Sequence, residues 1–60
     1  GNSVKARDLY EKACNGGVMM GCLNIGDLEF KAGNKVEATQ LYKKACDGGE
    51  KKACEKLSGN

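Results

Sequence analysis

The chain has 60 residues, with ten Lys and Arg against eight Asp and Glu, no histidine and four cysteines. A chain of this length forms one domain and buries only about 60% of the surface that its unfolded form exposes, so a hydrophobic core alone would leave it marginally stable. The net charge of +2 is spread along the chain without a basic stripe, which argues against nucleic acid as a partner. No stretch is long and apolar enough to cross a membrane.

The first half of the chain predicts two helices. Ser3 can cap the first helix, and the glycines at 16–17 can take the left-handed conformation that ends it near Asn15. A second helix should cover about residues 18–32. The predicted inward face of the first helix is Ala6, Leu9, Tyr10 and Ala13. The predicted inward stripe of the second helix is Cys22, Ile25, Leu28 and Ala32.

The second half predicts a similar pair of helices. After a tight turn at Gly33, Asn34 and Glu37 match a capping box at the start of a third helix, over about residues 35–47. Its inward face should be Ala38, Leu41, Tyr42 and Ala45. A short, polar fourth helix over about residues 50–57 keeps three apolar residues, namely Ala53, Cys54 and Leu57. Since no segment alternates as a strand does, we predict an all-α fold.

The two halves are copies of each other. Residues 4–17 return 32 residues later as residues 36–49, with nine of the fourteen positions identical. Each copy carries the frame Ala-Cys-x-Gly-Gly-x4-Cys. We therefore interpret the chain as one domain of two repeat units, about 4–32 and 36–60. Four cysteines at equal spacings in so short a chain indicate a disulfide framework, and hence a secreted or periplasmic protein.

Two stretches carry a family resemblance. Residues 24–45 resemble the core of a tetratricopeptide repeat, and the matching residues are Gly26, Gly33, Glu37, Ala38, Tyr42 and Ala45. The frame Leu-Tyr-x-Lys-Ala-Cys-x-Gly-Gly-x4-Cys is similar to the cysteine-rich Sel1-like repeat proteins of Helicobacter, although Glu29 stands where those repeats usually have an aromatic residue. The resemblance implies four helices in α/α hairpin repeats, stacked into a right-handed superhelix and stapled by one disulfide per repeat.

On this resemblance we expect the disulfides Cys14–Cys22 and Cys46–Cys54. The cysteines of each pair flank a Gly-Gly reversal, so a bond between them would clamp two consecutive helices where the chain turns. Two other uses of the thiols stay open, a zinc site and a redox pair. Zinc sites and redox sites both favour the spacing Cys-x-x-Cys, and this spacing does not occur here. We expect neither a metal nor a cofactor.

Catalysis finds little support in the residues. Without histidine, the usual general base and the Ser-His and Cys-His pairs are absent, and the two serines, Ser3 and Ser58, lie near the termini. We expect no catalytic residues and no enzyme activity. The resemblance adds one alternative, β-lactam binding or weak β-lactamase activity as attributed to the Helicobacter proteins, with no residue to assign to it. A further alternative is a structural or engineered repeat fragment without its own ligand.

The main functional prediction is a monomeric module that binds a protein or a peptide. By analogy with tetratricopeptide arrays, the second and fourth helices would line a concave surface, and such grooves bind extended peptides or partner helices. The candidate contacts on the second helix are Met20, Asn24, Asp27 and Lys31. Met19 and Met20 cannot both face one core: either this helix buries more than one face, or one methionine is an exposed, adaptable contact.

Overall fold

All four predicted helices are present in the computed structural model, which describes residues 2–59 and the side chains of residues 4–59. They are α1 (Asn2–Asn15), α2 (Met19–Lys31), α3 (Lys35–Asp47) and α4 (Lys51–Leu57). The described residues form no strand. Ser3 was predicted to be the N-cap of α1, but the helix begins at Asn2, so Ser3 lies inside its first turn. The side chain of Ser3 is outside the described part of the structure. Among residues 2–59, no helix has both the length and the hydrophobicity to traverse a bilayer.

The same pair of backbone hydrogen bonds closes each of the three helix reversals. After α1, the amide of Gly17 donates to the carbonyl of Cys14 at 3.1 Å and the amide of Val18 donates to Ala13 at 2.8 Å. This Schellman arrangement needs a left-handed residue, and Gly17 supplies it with φ of 94°. The equivalent bonds elsewhere run from Gly33 to Phe30 and Asn34 to Glu29, and from Gly49 to Cys46 and Glu50 to Ala45.

The packed core is small and centres on α2, which packs against both α1 and α3, while α4 packs on α3. Its buried hydrophobic residues are Cys14, Cys22, Leu23, Ile25, Ala38, Tyr42, Ala45 and Ala53. Three of these eight are alanines and two form one disulfide, so few large side chains leave water. Hydrophobic stabilisation is proportional to the apolar area removed from water, and alanine and cysteine bury little area. This core therefore stabilises the fold less than the number of its residues suggests.

The predicted inward face of α1 is exposed at Leu9, although Tyr10 packs against the core. Leu9 is 66% exposed, whereas Leu41, at the same position of the second copy, packs against the core. The other three residues of that face are only partly buried. In α2 the stripe is buried at Cys22 and Ile25, but Ala32 follows the last helical residue and is exposed. Leu57 of α4 is also exposed.

Two disulfides join Cys14 to Cys22 and Cys46 to Cys54, with Cα atoms 4.7 and 4.8 Å apart. No cysteine is free. These are the pairs that the resemblance implied. Each bond connects the end of one helix to the first turn of the next across a glycine reversal, so α1 is tied to α2 and α3 is tied to α4. The bonds indicate a non-reducing environment.

Reduction of the two disulfides should lower the thermal midpoint sharply and weaken the cooperativity of unfolding. The bonded cysteines are 8 residues apart, and the chain-entropy model gives about 2.6 kcal/mol for each such loop. Two bonds then approach the whole stability of a small domain, about 5–15 kcal/mol. Circular dichroism melts of the oxidised and the reduced, thiol-blocked protein measure the difference, and the two Cys→Ser double variants should lie between them. An unchanged melt would show that helix packing is sufficient.

Candidate binding groove

An open groove of about 520 Å³ lies between α2, α3 and α4. Both α2 and α4 pack on α3, and residues of all three helices line the groove. Three of the lining residues, Asp27, Phe30 and Lys31, belong to α2. They are three and four positions apart and therefore share one face of that helix. The lining residues are Asp27, Phe30, Lys31, Tyr42, Lys56 and Gly59.

Tyr42 joins α3 to α2 at the groove through both its ring and its hydroxyl. The ring is packed on the α2 backbone at Gly26, where a Cβ atom would come within 2.7 Å of the ring carbon Cε1. Only glycine therefore fits at position 26 without a shift of the ring. The hydroxyl donates a hydrogen bond to Oδ1 of Asp27 at 2.6 Å, and the residue is 6% exposed.

Asp27 also connects α2 to α4. The ammonium of Lys56 lies 3.2 Å from Oδ1 of Asp27 and 5.8 Å from the centre of the Tyr42 ring. Both charged side chains are more than one-third exposed, so their ion pair adds little stability. Its effect is to fix the positions of the two charges. Burial of the phenol raises the pKa of Tyr42, and the hydrogen bond to Asp27 and the negative charge there raise it further.

Phe30 and Lys31 face the solvent at the groove. Phe30 is 53% exposed, which is a large unpacked surface for an aromatic side chain in so small a protein. Lys31 is exposed, and the ion pairs within the described residues do not include it. The groove therefore places an accessible aromatic ring next to an ammonium group that no carboxylate within residues 4–59 neutralises.

The structure brings together two of the four predicted contacts. Asp27 and Lys31 line the groove, whereas Met20 and Asn24 do not. Asn24 lies about one turn before Asp27 and is partly buried, and Met20 lies about two turns before Asp27 and is exposed. Met19 packs against the core. α2 packs against both α1 and α3, and Met20 is nevertheless exposed, so a contact role for Met20 stays a prediction.

The sequence did not predict that Phe30, Tyr42 and Lys56 would line the groove. Tyr42 looks like a packing residue in the sequence because it recurs beside leucine in both copies. Its hydrogen bond to Asp27 depends on how α3 crosses α2. Lys56 belongs to a helix rich in charges, where a lysine usually faces water. Phe30 could have indicated the groove from the sequence, because it is a large aromatic residue outside the predicted inward stripe of α2.

A second cavity, of about 280 Å³, lies between α1, α2 and α3 and contains a buried carboxylate. Glu29 is the buried charged residue among the described side chains, and Arg7 of α1 binds it by a hydrogen bond and an ion pair. The hydrogen bond with Glu37 is the main cause that lowers the pKa of Glu29. Arg7 and Asn34 lower it further, and burial opposes them. A buried carboxylate needs a partner of opposite charge such as Arg7, because desolvation without one is costly.

The predicted capping box at the start of α3 is wrong. Asn34 occupies the N-cap position, but its side chain makes no capping hydrogen bond. The side chains of Asn34 and Glu37 both interact with Glu29. A helix end at the surface can use water in place of a side-chain cap, whereas the buried Glu29 cannot, so the partners go to the buried group.

Spectrophotometric titration should reveal one tyrosine that ionises well above the ordinary value of 10.0. Tyr42→Phe should remove this late step, and the control Tyr10→Phe should leave it in place. Because the raised pKa belongs to the folded state, the unfolded chain releases this proton first. Stability is therefore retained below pH 10.0 and lost as the pH rises above it. A late step that survives Tyr42→Phe would contradict the Asp27 contact.

Glu37→Gln should stabilise the protein at neutral pH. The hydrogen bond to Glu29 and its negative charge raise the pKa of Glu37, and burial adds to this, so the charged form of Glu37 is disfavoured in the folded state. Stability from this group is present below pH 4.5 and is lost as the pH rises through the higher folded value. The gain from the substitution should therefore appear in melts at neutral pH and vanish well below pH 4.5.

The matched control for this substitution is Glu11→Gln, which changes another carboxylate of the same cavity. It should give no comparable pH-dependent gain. A loss of stability on Glu37→Gln at neutral pH would show that the charge of Glu37 helps to hold Arg7 in place.

Comparison of the chain with protein-family models, with curated proteins and with solved structures returned no match. Inference about function therefore starts from the groove itself. The groove is distinguished by a buried tyrosine at its base, an exposed phenylalanine ring, and two lysines against one aspartate among its lining residues.

Proposed function

We propose that this chain is a protein- or peptide-binding module, and that the groove between α2, α3 and α4 takes a segment in which an apolar side chain stands near an acidic one. One observation carries the proposal: Phe30 is 53% exposed in an open groove, beside the unneutralised ammonium of Lys31. Exposed apolar surface of this kind, rimmed by charge, is typical of interaction sites.

The charges of the groove favour an acidic partner. Lys31 and Lys56 contribute two ammonium groups, and Asp27 contributes one carboxylate that already binds Lys56 and Tyr42. One positive charge is left over. A partner carboxylate near Lys31 would complete the charge balance, and it would speed association more than it would raise affinity.

The floor of the groove is rigid before any partner arrives. Tyr42 is packed on Gly26 and hydrogen-bonded to Asp27, so its side chain loses little conformational freedom on binding. A site that is already ordered avoids the entropic cost of fixing its side chains. This supports direct docking of the partner without rearrangement of the helices.

The size of the groove favours a short segment. Its volume of about 520 Å³ lies within the usual range for ligand sites, about 300–1,000 Å³. Met20 and Asn24 continue the same side of α2 for about 10 Å beyond Asp27, since a helix rises about 1.5 Å per residue. A longer peptide or a partner helix lying along α2 would reach the exposed Met20, whose flexible side chain adapts to different surfaces.

We further infer the repeat architecture that carries this groove and the compartment in which the protein acts. Two sequence copies with the same glycine reversals and the same disulfides support a right-handed stack of Sel1-like or tetratricopeptide-like hairpins. The disulfides also support a secreted or periplasmic protein, in which the chain acts as a monomer.

Selection of random displayed peptides on the oxidised protein tests the proposal. Enriched peptides should combine an aromatic or aliphatic residue with Asp or Glu, and isothermal titration calorimetry should give modest affinities that fall with salt. Phe30→Ser and Lys31→Glu should each weaken binding by about tenfold. The matched controls are Val36→Ser and Lys35→Glu, which change an exposed valine and an exposed lysine outside the groove and should bind as the unchanged protein does.

Two other outcomes would replace the proposal. A β-lactam with an apolar side chain also carries a carboxylate, so hydrolysis of nitrocefin that Lys31→Glu abolishes would favour the β-lactam alternative. Failure to enrich any peptide, or equal loss of binding in the Phe30 and Val36 variants, would favour a structural fragment without its own ligand.

A further inference from the structure

The two disulfide-bonded reversals lie side by side at one end of the molecule. Met19, between the first pair of cysteines, lies so close to Gly48, between the second pair, that a Cβ atom at Gly48 would overlap its side chain. α1 and α3 therefore end at this end of the molecule, and α2 and α4 begin there. We call it the disulfide end, and it comprises residues 15–20 and 43–52.

The first reversal exposes two apolar side chains at the disulfide end. Val18 and Met20 are each 55% exposed, and they stand on either side of Met19 in the chain. The same positions of the second reversal hold Glu50 and Lys52, and the backbone turns there with the same hydrogen bonds. The turn therefore does not require apolar residues at these positions, and the core does not use them. They are free to contact a surface outside the molecule.

The second reversal supplies positive charge beside this apolar pair. Residues 43–52 hold four lysines against two acidic residues, a surplus of two positive charges, which equals the net charge of the whole chain. All four lysines are exposed, and the ion pairs within residues 4–59 do not include them. They are Lys43, Lys44, Lys51 and Lys52. The disulfide end therefore combines exposed aliphatic surface with ammonium groups that are not in ion pairs.

We propose that the disulfide end binds the surface of an anionic lipid bilayer. Val18 and Met20 would enter the upper part of the acyl chains, and Lys51 and Lys52 would lie at the headgroup phosphates. Binding of this kind grows with the buried apolar area and with the attraction between lysines and anionic lipids. Each contribution alone is weak here, because only two aliphatic side chains and four lysines take part. Binding therefore needs both contributions and is reversible.

The chemistry of the disulfide end favours a bilayer over a folded protein or a soluble polyanion. Neither of the two cavities described above is lined by Val18 or Met20. Protein interfaces concentrate their binding energy in aromatic and arginine residues that fill pockets, and residues 15–20 and 43–52 contain neither type. A fluid bilayer needs no such fit. An anionic polysaccharide would use the lysines but would leave the two apolar side chains in water.

Binding at this end leaves the groove accessible. The groove residues of α2 lie in the last part of that helix, which begins at the disulfide end. A helix rises about 1.5 Å per residue, so Phe30 lies about 15 Å along α2 from Met20. Lipid binding is therefore independent of the proposed peptide binding, and one molecule can do both.

Sedimentation with vesicles tests the proposal. The oxidised protein should sediment with vesicles of phosphatidylglycerol and phosphatidylcholine, and salt should release it. It should stay in solution with vesicles of phosphatidylcholine alone. Lys51→Glu with Lys52→Glu should weaken binding by about tenfold or more, and so should Val18→Ser with Met20→Ser. Glu in the first turn of α4 and Ser at the N-cap of α2 are favourable at those positions, so both double variants should fold.

The matched control is Lys35→Glu with Val36→Ser, which changes an exposed lysine and an exposed valine at the start of α3, at the opposite end of the molecule. It should bind the vesicles as the unchanged protein does. Fluorescence gives an independent measurement, because the chain has no tryptophan and Val18→Trp introduces a single one. Its emission should shift to the blue on anionic vesicles and be quenched by brominated acyl chains, whereas Val36→Trp should show neither change.

The proposal is overturned if the protein stays in solution with the anionic vesicles, or if the control loses as much binding as the variants of the disulfide end. It is also overturned if Val18→Ser with Met20→Ser binds fully and heparin displaces the protein, since the lysines would then recognise any polyanion. Unchanged emission of Val18→Trp on vesicles that bind it would place another surface at the bilayer and would contradict the proposal as well.

Discussion

The disulfides at the two helix reversals are the constraint on which the rest of the structure depends. The core consists mostly of alanines, cysteines and a few larger residues, and so small a core offers little hydrophobic stabilisation. The Gly17 and Gly49 turns allow the chain to reverse within a few residues, and the Cys14–Cys22 and Cys46–Cys54 bonds make each reversal permanent. Each bond therefore holds its own helix pair together independently of the contact between the pairs.

The contact between the two clamped pairs produces the groove. α2 belongs to the first pair and α3 to the second, and Gly26 lets the two helices meet through the ring of Tyr42. The same contact places Asp27 within reach of Tyr42 and Lys56, so three helices share one carboxylate oxygen. The close packing of α2 on α3 therefore also positions the charged groups of Asp27 and Lys56 in the proposed binding site. This is why Phe30 and Lys31 are presented on a firm support despite the small size of the protein.

Local features were predictable from the sequence, and features that join distant segments were not. Helical periodicity and the glycine pairs act within a few residues, and they gave the boundaries of α2, α3 and α4 to within one residue. Leu41 packs against the core and Leu9 is exposed, although the two leucines occupy the same position of the two sequence copies, so the sequence alone could not distinguish them. The partners of Glu29 come from three helices or turns, so local rules wrongly gave Asn34 and Glu37 to a capping box.

Chemical mapping of the disulfides tests the central claim most directly. Met19 and Met20 lie between Cys14 and Cys22, so cyanogen bromide with trypsin separates all four cysteines into different fragments. Mass spectrometry under non-reducing conditions should find fragment 13–19 linked to 21–31 and fragment 45–51 linked to 53–56. A link between 13–19 and 45–51 would contradict the account, because it would join two helix pairs where each bond is required to clamp one.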